Sequence, residues 1–169
     1  MINILHAGRF IELVTDERWE FVRRRNAHAV VAIVAVTPAH ELLLVEQFRI
    51  PLAAAVIELP AGLVGDEQAD EEVLVAAGRE LEEECGWRPG KMTLLNRSPS
   101  SAGLTNEVTT LIRADELVRV SAGGGVAGEN ITVYQVPLVS IAAWLRARAE
   151  AGTMIDHKIH AALWWLAQG

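Results

Sequence analysis

Glu80, Glu83 and Glu84 stand at i, i+3 and i+4 in the stretch Arg79-Glu80-Leu81-Glu82-Glu83-Glu84-Cys85-Gly86-Trp87. On a helix that spacing brings three carboxylates to one exposed patch less than a turn deep. Like charges so placed repel. Water and salt relieve the repulsion on an ordinary solvated face, whereas a hard divalent cation such as Mg2+ relieves it by taking the oxygens as ligands. Such a cation offsets charge on a phosphate substrate, orients it and lowers the pKa of a bound water. Carboxylates that ligate a cation are poor bases, because ligation stabilises the anion. The base must then come from elsewhere, and two glutamates stand in late loops. Glu107 opens a predicted strand, where its side chain is held, while Glu129 ends a glycine-rich segment and is free to swing in. Glu129 is therefore the choice, with Glu107 as alternative and a plain surface carboxylate as the bland reading.

The carboxylates require a helix to carry them. Leu74, Ala77, Leu81 and Cys85 recur at three- and four-residue steps and predict one over about 71–85, with Gly86 stopping it past the C-cap. Ahead of it, residues 28–36 form a near-continuous apolar strand of the kind buried on both faces, and 41–50 (ELLLVEQFRI) a second that places Glu46 and Arg49 near its far end. Further strands are predicted over 91–97, 108–114 and 131–136, and helices over 140–149 and 156–167. Residues 9–25 alternate apolar and polar about Thr15-Asp16 and predict an antiparallel hairpin. The organisation expected is a β extension over 1–26 and one α/β domain over 27–169, with a mixed central sheet.

Glu71, seven intervening residues, then Arg79-Glu80-Leu81-x-Glu83-Glu84-x-Gly86-Trp87 resembles the Nudix box. The resemblance implies an α/β/α sandwich, Mg2+ or Mn2+ on the box helix, and cleavage of a nucleoside diphosphate linked to another group. It also implies that Arg79 holds a neighbouring carboxylate in its ligating orientation. The motif's opening glycine is Gly65 by spacing. The flanking Glu58-Leu59-Pro60-Ala61-Gly62 matches members in which it is Gly62, with a loop three residues longer here, and that reading is preferred. Under it the carbonyl of Ala61 joins Glu80, Glu83 and Glu84 as a metal ligand; under the other, Val64 takes its place.

Val45-Glu46-Gln47-Phe48-Arg49 resembles the ADP-ribose pyrophosphatase branch, which implies that Arg49 binds substrate phosphate, as a guanidinium fork suits phosphate oxygens. Glu58 adds an outer metal or substrate contact. An arginine near the run Arg23-Arg24-Arg25 contacts substrate in that branch, which nominates Arg24 or Arg25 against the commoner meaning of a solvated strand end. Pro99, Gly103, Thr105 and Glu107 in SPSSAGLTNE match the loop that marks ADP-sugar hydrolases. The branch also places a catalytic glutamate in the late loop, where a two-residue slip puts Ala127 rather than Glu129. Its N-terminal extensions cross to a partner chain and help hold the nucleoside, which implies a homodimer with Trp19 or Phe21 stacked on the base.

Composition narrows the classes. A formal charge of −7 argues against general nucleic-acid binding, RNA decapping included. No apolar run reaches the eighteen or so residues of a membrane span and no signal-peptide pattern opens the chain, so a soluble, cytoplasmic protein is expected. The single cysteine, Cys85, reads as a small core residue. His157 and His160, three apart on a predicted helix, lack a third soft ligand; Trp164 and Trp165 read as packing. The function expected is Mg2+-dependent hydrolysis of a nucleotide sugar, ADP-ribose to AMP and ribose 5-phosphate. GDP-mannose or another sugar nucleotide is the near alternative, and a non-catalytic nucleotide sensor the alternative of another class.

Overall fold

The apolar runs before the box helix become the centre of the molecule because both of their faces are covered. In the computed structural model, which describes residues 1–65, 70–126 and 130–168, the chain runs in order through the following elements. An N-terminal sheet comprises β1 (Asn3–Ala7), β2 (Ile11–Asp16) and β3 (Trp19–Arg24), all antiparallel. Then come β4 (Ala29–Ala35), β5 (Glu41–Arg49), a single 3-10 turn (Ile50–Leu52), β6 (Ala54–Glu58) and β7 (Ala61–Val64). The box helix α1 (Val73–Cys85) leads to β8 (Trp87–Arg88), β9 (Lys91–Pro99), β10 (Val108–Asp115), β11 (Val118–Arg119) and β12 (Thr132–Pro137). α2 (Ile141–Glu150), β13 (Met154–Ile155) and α3 (His157–Leu166) finish the described chain.

Two four-stranded sheets, ordered β7-β4-β10-β9 and β12-β5-β6-β13, form the middle layer. Both are mixed, since β10 runs parallel to β4 and β13 parallel to β6 while the other pairs are antiparallel. Strand period sorts the side chains. Val31, Ile33 and Ala35 of β4 pack with Ala76, Ala77, Leu81 and Cys85 of α1, while Ala32 and Val34 pack with Ile141, Leu145 and Ile159 of α2 and α3. The result is the expected helix–sheet–helix sandwich, and it explains why β4 reads as unbroken hydrophobic sequence. Leu81 is fully buried, so truncation to alanine would cost about 2–5 kcal/mol. Among the described residues no helix is long and apolar enough to cross a membrane.

Several boundaries differ from expectation. The box helix begins at Val73 with Glu72 as N-cap, and Leu74 stays 41% exposed while Ala76 takes the buried position. Its stop is as expected: Gly86 adopts φ 75° and donates its N–H to the carbonyls of Glu82 and Leu81. The N-terminal unit has three strands rather than two, and its hairpin turns two residues later, at Glu17-Arg18, with Asp16 still paired to Trp19. β1 escaped notice because all five of its residues are exposed and carry no alternation. β9 runs on through Pro99, which pairs with Val108, so that proline ends a strand rather than sitting inside a loop. It fits there because β9 is an edge strand, where a missing N–H is tolerated.

Candidate active site

Where β7 meets α1, backbone and carboxylate come too close for any side chain but hydrogen. A Cβ built on Gly62 would lie 2.0 Å from Cδ of Glu80, so the Ala61-Gly62 segment presses directly on the helix carboxylates. Next to it, the Ala61 N–H donates to Oε2 of Glu84 at 3.0 Å. These contacts put Gly62 against the helix. Glu84 is only 8% exposed, which corrects the expectation of an exposed carboxylate there.

Arg79 organises the rest of the acidic face. Its Nε donates to Glu71 Oε1 at 3.1 Å, while its two terminal nitrogens lie 3.0 Å from Glu80 Oε1 and 3.1 Å from Glu83 Oε2. The hydrogen bond to Glu71, followed by the charges of Glu80 and Glu83, holds the guanidinium more firmly protonated than usual. The arginine thus offsets the repulsion between two of the three glutamates. It also divides them, because Glu80 and Glu84 line one cleft while Glu83 and Arg79 line a groove of about 560 Å³ beside Leu74, Val75 and Met92. Among the described residues no three His, Cys, Asp or Glu side chains form a ready-made cation cage.

The cleft holding Glu80 and Glu84 has a volume of about 440 Å³. Ala61 and Glu58 line it from the loop side, Arg49 from the end of β5, and Arg24 and Glu107 from the opposite wall. Arg49 Nε donates to Glu58 Oε2 at 2.6 Å, and Arg24 Nε to Glu107 Oε2 at 2.6 Å. Glu107 is pinned a second time by the Ser100 hydroxyl at 2.8 Å. Residues from five separate segments therefore converge here. Gln47, Thr109 and Lys158 also line the cleft and were not singled out from sequence. Period-two alternation from Arg49 and Glu107 points to Gln47 and Thr109, one residue pair away on the same strand face, whereas nothing in the spacing of α3 marks Lys158.

Other nominated residues lie elsewhere. Arg25 turns to the N-terminal sheet, where it donates to the Gly8 carbonyl at 2.6 Å and approaches Glu12, so Arg24 is the member of the run that lines the cleft. Trp19 and Gly103 meet in a separate pocket of about 310 Å³ that includes Phe21 and Thr105. β3 docks there because the Val22 N–H bonds the Leu104 carbonyl. Glu129 and Ala127 lie outside the described residues. His157 and His160 are exposed, and Cys85 is buried, which pushes its thiol well above the usual range. Trp165 packs against the core with Trp164 edge-on at 4.9 Å.

The described part of the glycine-rich segment is docked against the end of α1. The N–H groups of Gly124 and Gly125 donate to the carbonyls of Glu84 and Glu83, and those of Val120 and Ser121 to the carbonyl of Gly86. The orphan carbonyls at the end of α1 are thereby satisfied by this loop. Gly123 makes the approach possible: at φ +71° an added Cβ would sit 2.5 Å from the backbone carbon of Cys85. Gly123→Ala should lower stability by about 2 kcal/mol or more, roughly 4–8 °C in Tm. Gly124→Ala is the control, since its Cβ would meet only the Ile131 carbonyl at 4.0 Å and carries the φ penalty alone. Equal Tm losses in the two variants would mean that the contact with α1 contributes nothing.

With this geometry in view, residues 26–154 match the NUDIX domain, more than half of the chain. The chain belongs to the Nudix family. It is 38% identical over 122 residues to an ADP-ribose pyrophosphatase of Bacillus subtilis, covering 67% of this chain and 63% of that protein. It therefore spans somewhat less than two thirds of that relative's length. It is also 31% identical over 131 residues to a methanol dehydrogenase activator of Bacillus methanolicus, covering 72% of this chain and 68% of that protein. A crystal structure described as an ADP compounds hydrolase superposes with a TM-score of 0.77 at 20% identity, over 99% of this chain and 90% of that one, which shows a common fold.

Proposed function

We propose that this chain is a pyrophosphohydrolase of nucleotide sugars that converts ADP-ribose and water to AMP and ribose 5-phosphate. The observation that carries the reading is the single cleft in which Glu80 and Glu84 face Arg49 and Arg24. Each of the two guanidiniums is oriented through Nε by a carboxylate, Glu58 or Glu107, so that the terminal nitrogens are presented to phosphate oxygens. An ADP-ribose pyrophosphatase among the relatives supports the substrate class.

The site fits a divalent cation. Its donors are hard carboxylate oxygens, Gly62 leaves room for the Glu80 carboxylate that any Cβ would fill, and Arg79 can hold Glu80 and Glu83 in place. Glu80, Glu84 and the Ala61 carbonyl, with Glu83 from the adjoining groove, would hold Mg2+ or Mn2+, which supplies neutralisation of diphosphate charge and a lowered pKa for water. Arg49 and Arg24 bind and orient the diphosphate. Glu129 takes a proton from the attacking water as its oxygen bonds phosphorus and the bridging P–O bond breaks. Purified protein with Mg2+ should turn over ADP-ribose faster than GDP-mannose, ADP-glucose, NADH or diadenosine polyphosphates, read by product chromatography. Tight binding of ADP-ribose with no turnover of any compound, with Mg2+ or Mn2+, would favour a sensor and overturn the proposal.

The N-terminal unit over 1–26 is proposed to form a homodimer. In β2 the inward positions are Glu12 and Val14, with Glu12 held by Arg23, while Ile11 and Leu13 face outward. Ile4 and Trp19, each 56% exposed, add apolar surface on the other face, beside their partners Val14 and Asp16, and with Phe10 this is more than a monomer keeps in water without use. Light scattering at micromolar concentration should give the mass of two chains. A monomer mass would overturn the dimer.

A further inference from the structure

A third cavity lies between the acidic cleft and the aromatic pocket, and its charge is more than a neutral sugar needs. It measures about 340 Å³ and is lined by Arg24, His28, Arg97, Asn106 and Glu107. Arg24 and Glu107 are also walls of the acidic cleft, and Asn106 is also a wall of the pocket holding Trp19 and Phe21. The three cavities thus form one row. If the diphosphate occupies the cleft, as the proposed function has it, and the base the aromatic pocket, the ribose of the nucleoside falls in the middle.

Two guanidiniums and an imidazole face one carboxylate there. Glu107 is already bonded to Arg24 and Ser100, and Arg97 makes no ion pair with any described residue. Arg97 stands on edge strand β9 opposite Thr110 and is exposed, so the sheet fixes its backbone at the rim while its guanidinium meets no carboxylate among the described residues. A fork of donors left unpaired beside a ribose site is suited to a phosphate monoester on that ribose. In a chain of net charge −7 it is also a local exception to the overall sign.

We infer that Arg97, with His28 beside it, forms an anion subsite that reads a phosphate carried on the nucleoside ribose of the substrate. The substrate class extends accordingly to ADP-sugars phosphorylated on the adenosine 2′-oxygen. The inference rests on the nucleotide-sugar reading above, and the two fail differently.

The test compares kcat/KM for ADP-ribose and for its adenosine 2′-phosphate in the wild type, Arg97→Gln and Arg97→Lys, at low salt where exposed charges are least screened. Wild type should use the phosphorylated compound at least as well as ADP-ribose. Arg97→Gln should lower the ratio of the two constants about tenfold or more, with Arg97→Lys recovering part of it. Equal ratios in wild type and Arg97→Gln, or rejection of the 2′-phosphate by wild type, would overturn the inference. Competitive inhibition by ribose 5-phosphate is measured alongside. If Arg97→Gln weakens that inhibition tenfold and leaves the ratio alone, the pocket serves the other half of the substrate and the nucleoside assignment falls. Should wild type hydrolyse neither compound, the proposed function fails, and calorimetric binding of the two compounds to wild type and Arg97→Gln reads the subsite by itself: a tenfold loss confined to the 2′-phosphate upholds it, and no selective loss overturns it.

Discussion

Glu84→Gln is expected to lower kcat by roughly a hundredfold or more and to weaken Mn2+ binding, while Tm moves by no more than a few degrees. The two halves of this expectation have different causes. Glu84 is nearly buried, and one of its oxygens accepts the Ala61 N–H at 3.0 Å. Glutamine keeps an acceptor of the same shape, so the loop stays hydrogen-bonded to the helix and the fold is spared. What it removes is the negative charge, which a hard cation needs. Glu84→Ala separates the terms, because it also leaves the Ala61 N–H without its partner and should cost about 1–3 kcal/mol more in stability. Normal turnover and normal Mn2+ affinity in Glu84→Gln would remove Glu84 from the metal site, and the cleft would have to work through Glu80 alone.

The parts of this architecture that were legible in the sequence are those set by periodicity and by fixed spacing. β4 and β5 declared themselves as doubly covered strands because both core layers draw on alternate residues of each. The box helix declared itself through its apolar steps and its Gly86 stop. Two-residue strands carry no period, so β8, β11 and β13 could not be read, although the β8–β11 pair ties the segment after β10 back to the end of the box helix. The pairing of Arg24 with Glu107 spans 83 positions and is created by docking β3 against the loop before β10. No local pattern encodes such a contact. Glu83 shows the converse limit: its spacing promised one patch with Glu80 and Glu84, but the one-residue step of about 100° that separates it from Glu84, and its ion pair with Arg79, turn it toward a different groove. Lys158 entered the cleft from a helix read as purely structural, because only the packed sandwich brings α3 to that wall.

Glu129→Gln should lower kcat by about a hundredfold or more while KM and metal affinity stay close to normal. The argument begins with what the rival is already doing. Glu107 lines the cleft, yet one oxygen is bonded to Arg24 at 2.6 Å and the other to Ser100 at 2.8 Å, and the Ser100 hydroxyl in turn meets Thr109. A carboxylate held by hydrogen bonds at both oxygens has little freedom to approach a water. Its arrangement instead suits the orientation of Arg24. Glu129 lies beyond the described residues, but the chain on either side of it is fixed to the box helix: Gly124 and Gly125 bond the carbonyls of Glu84 and Glu83, and Ile131 packs into the core shared with Leu81 and Cys85. The carbonyls so bonded belong to two of the glutamates assigned to the cation. The described chain before and after the proposed base is thus anchored to the helix that sets the acidic face, and loss of that base should register in turnover rather than in substrate affinity. A fall in Mn2+ affinity alongside kcat would recast Glu129 as a cation ligand. Near-normal kcat in Glu129→Gln, with collapse in Glu107→Gln, would pass the role to Glu107, at the expense of the orienting part given to its bond with Arg24.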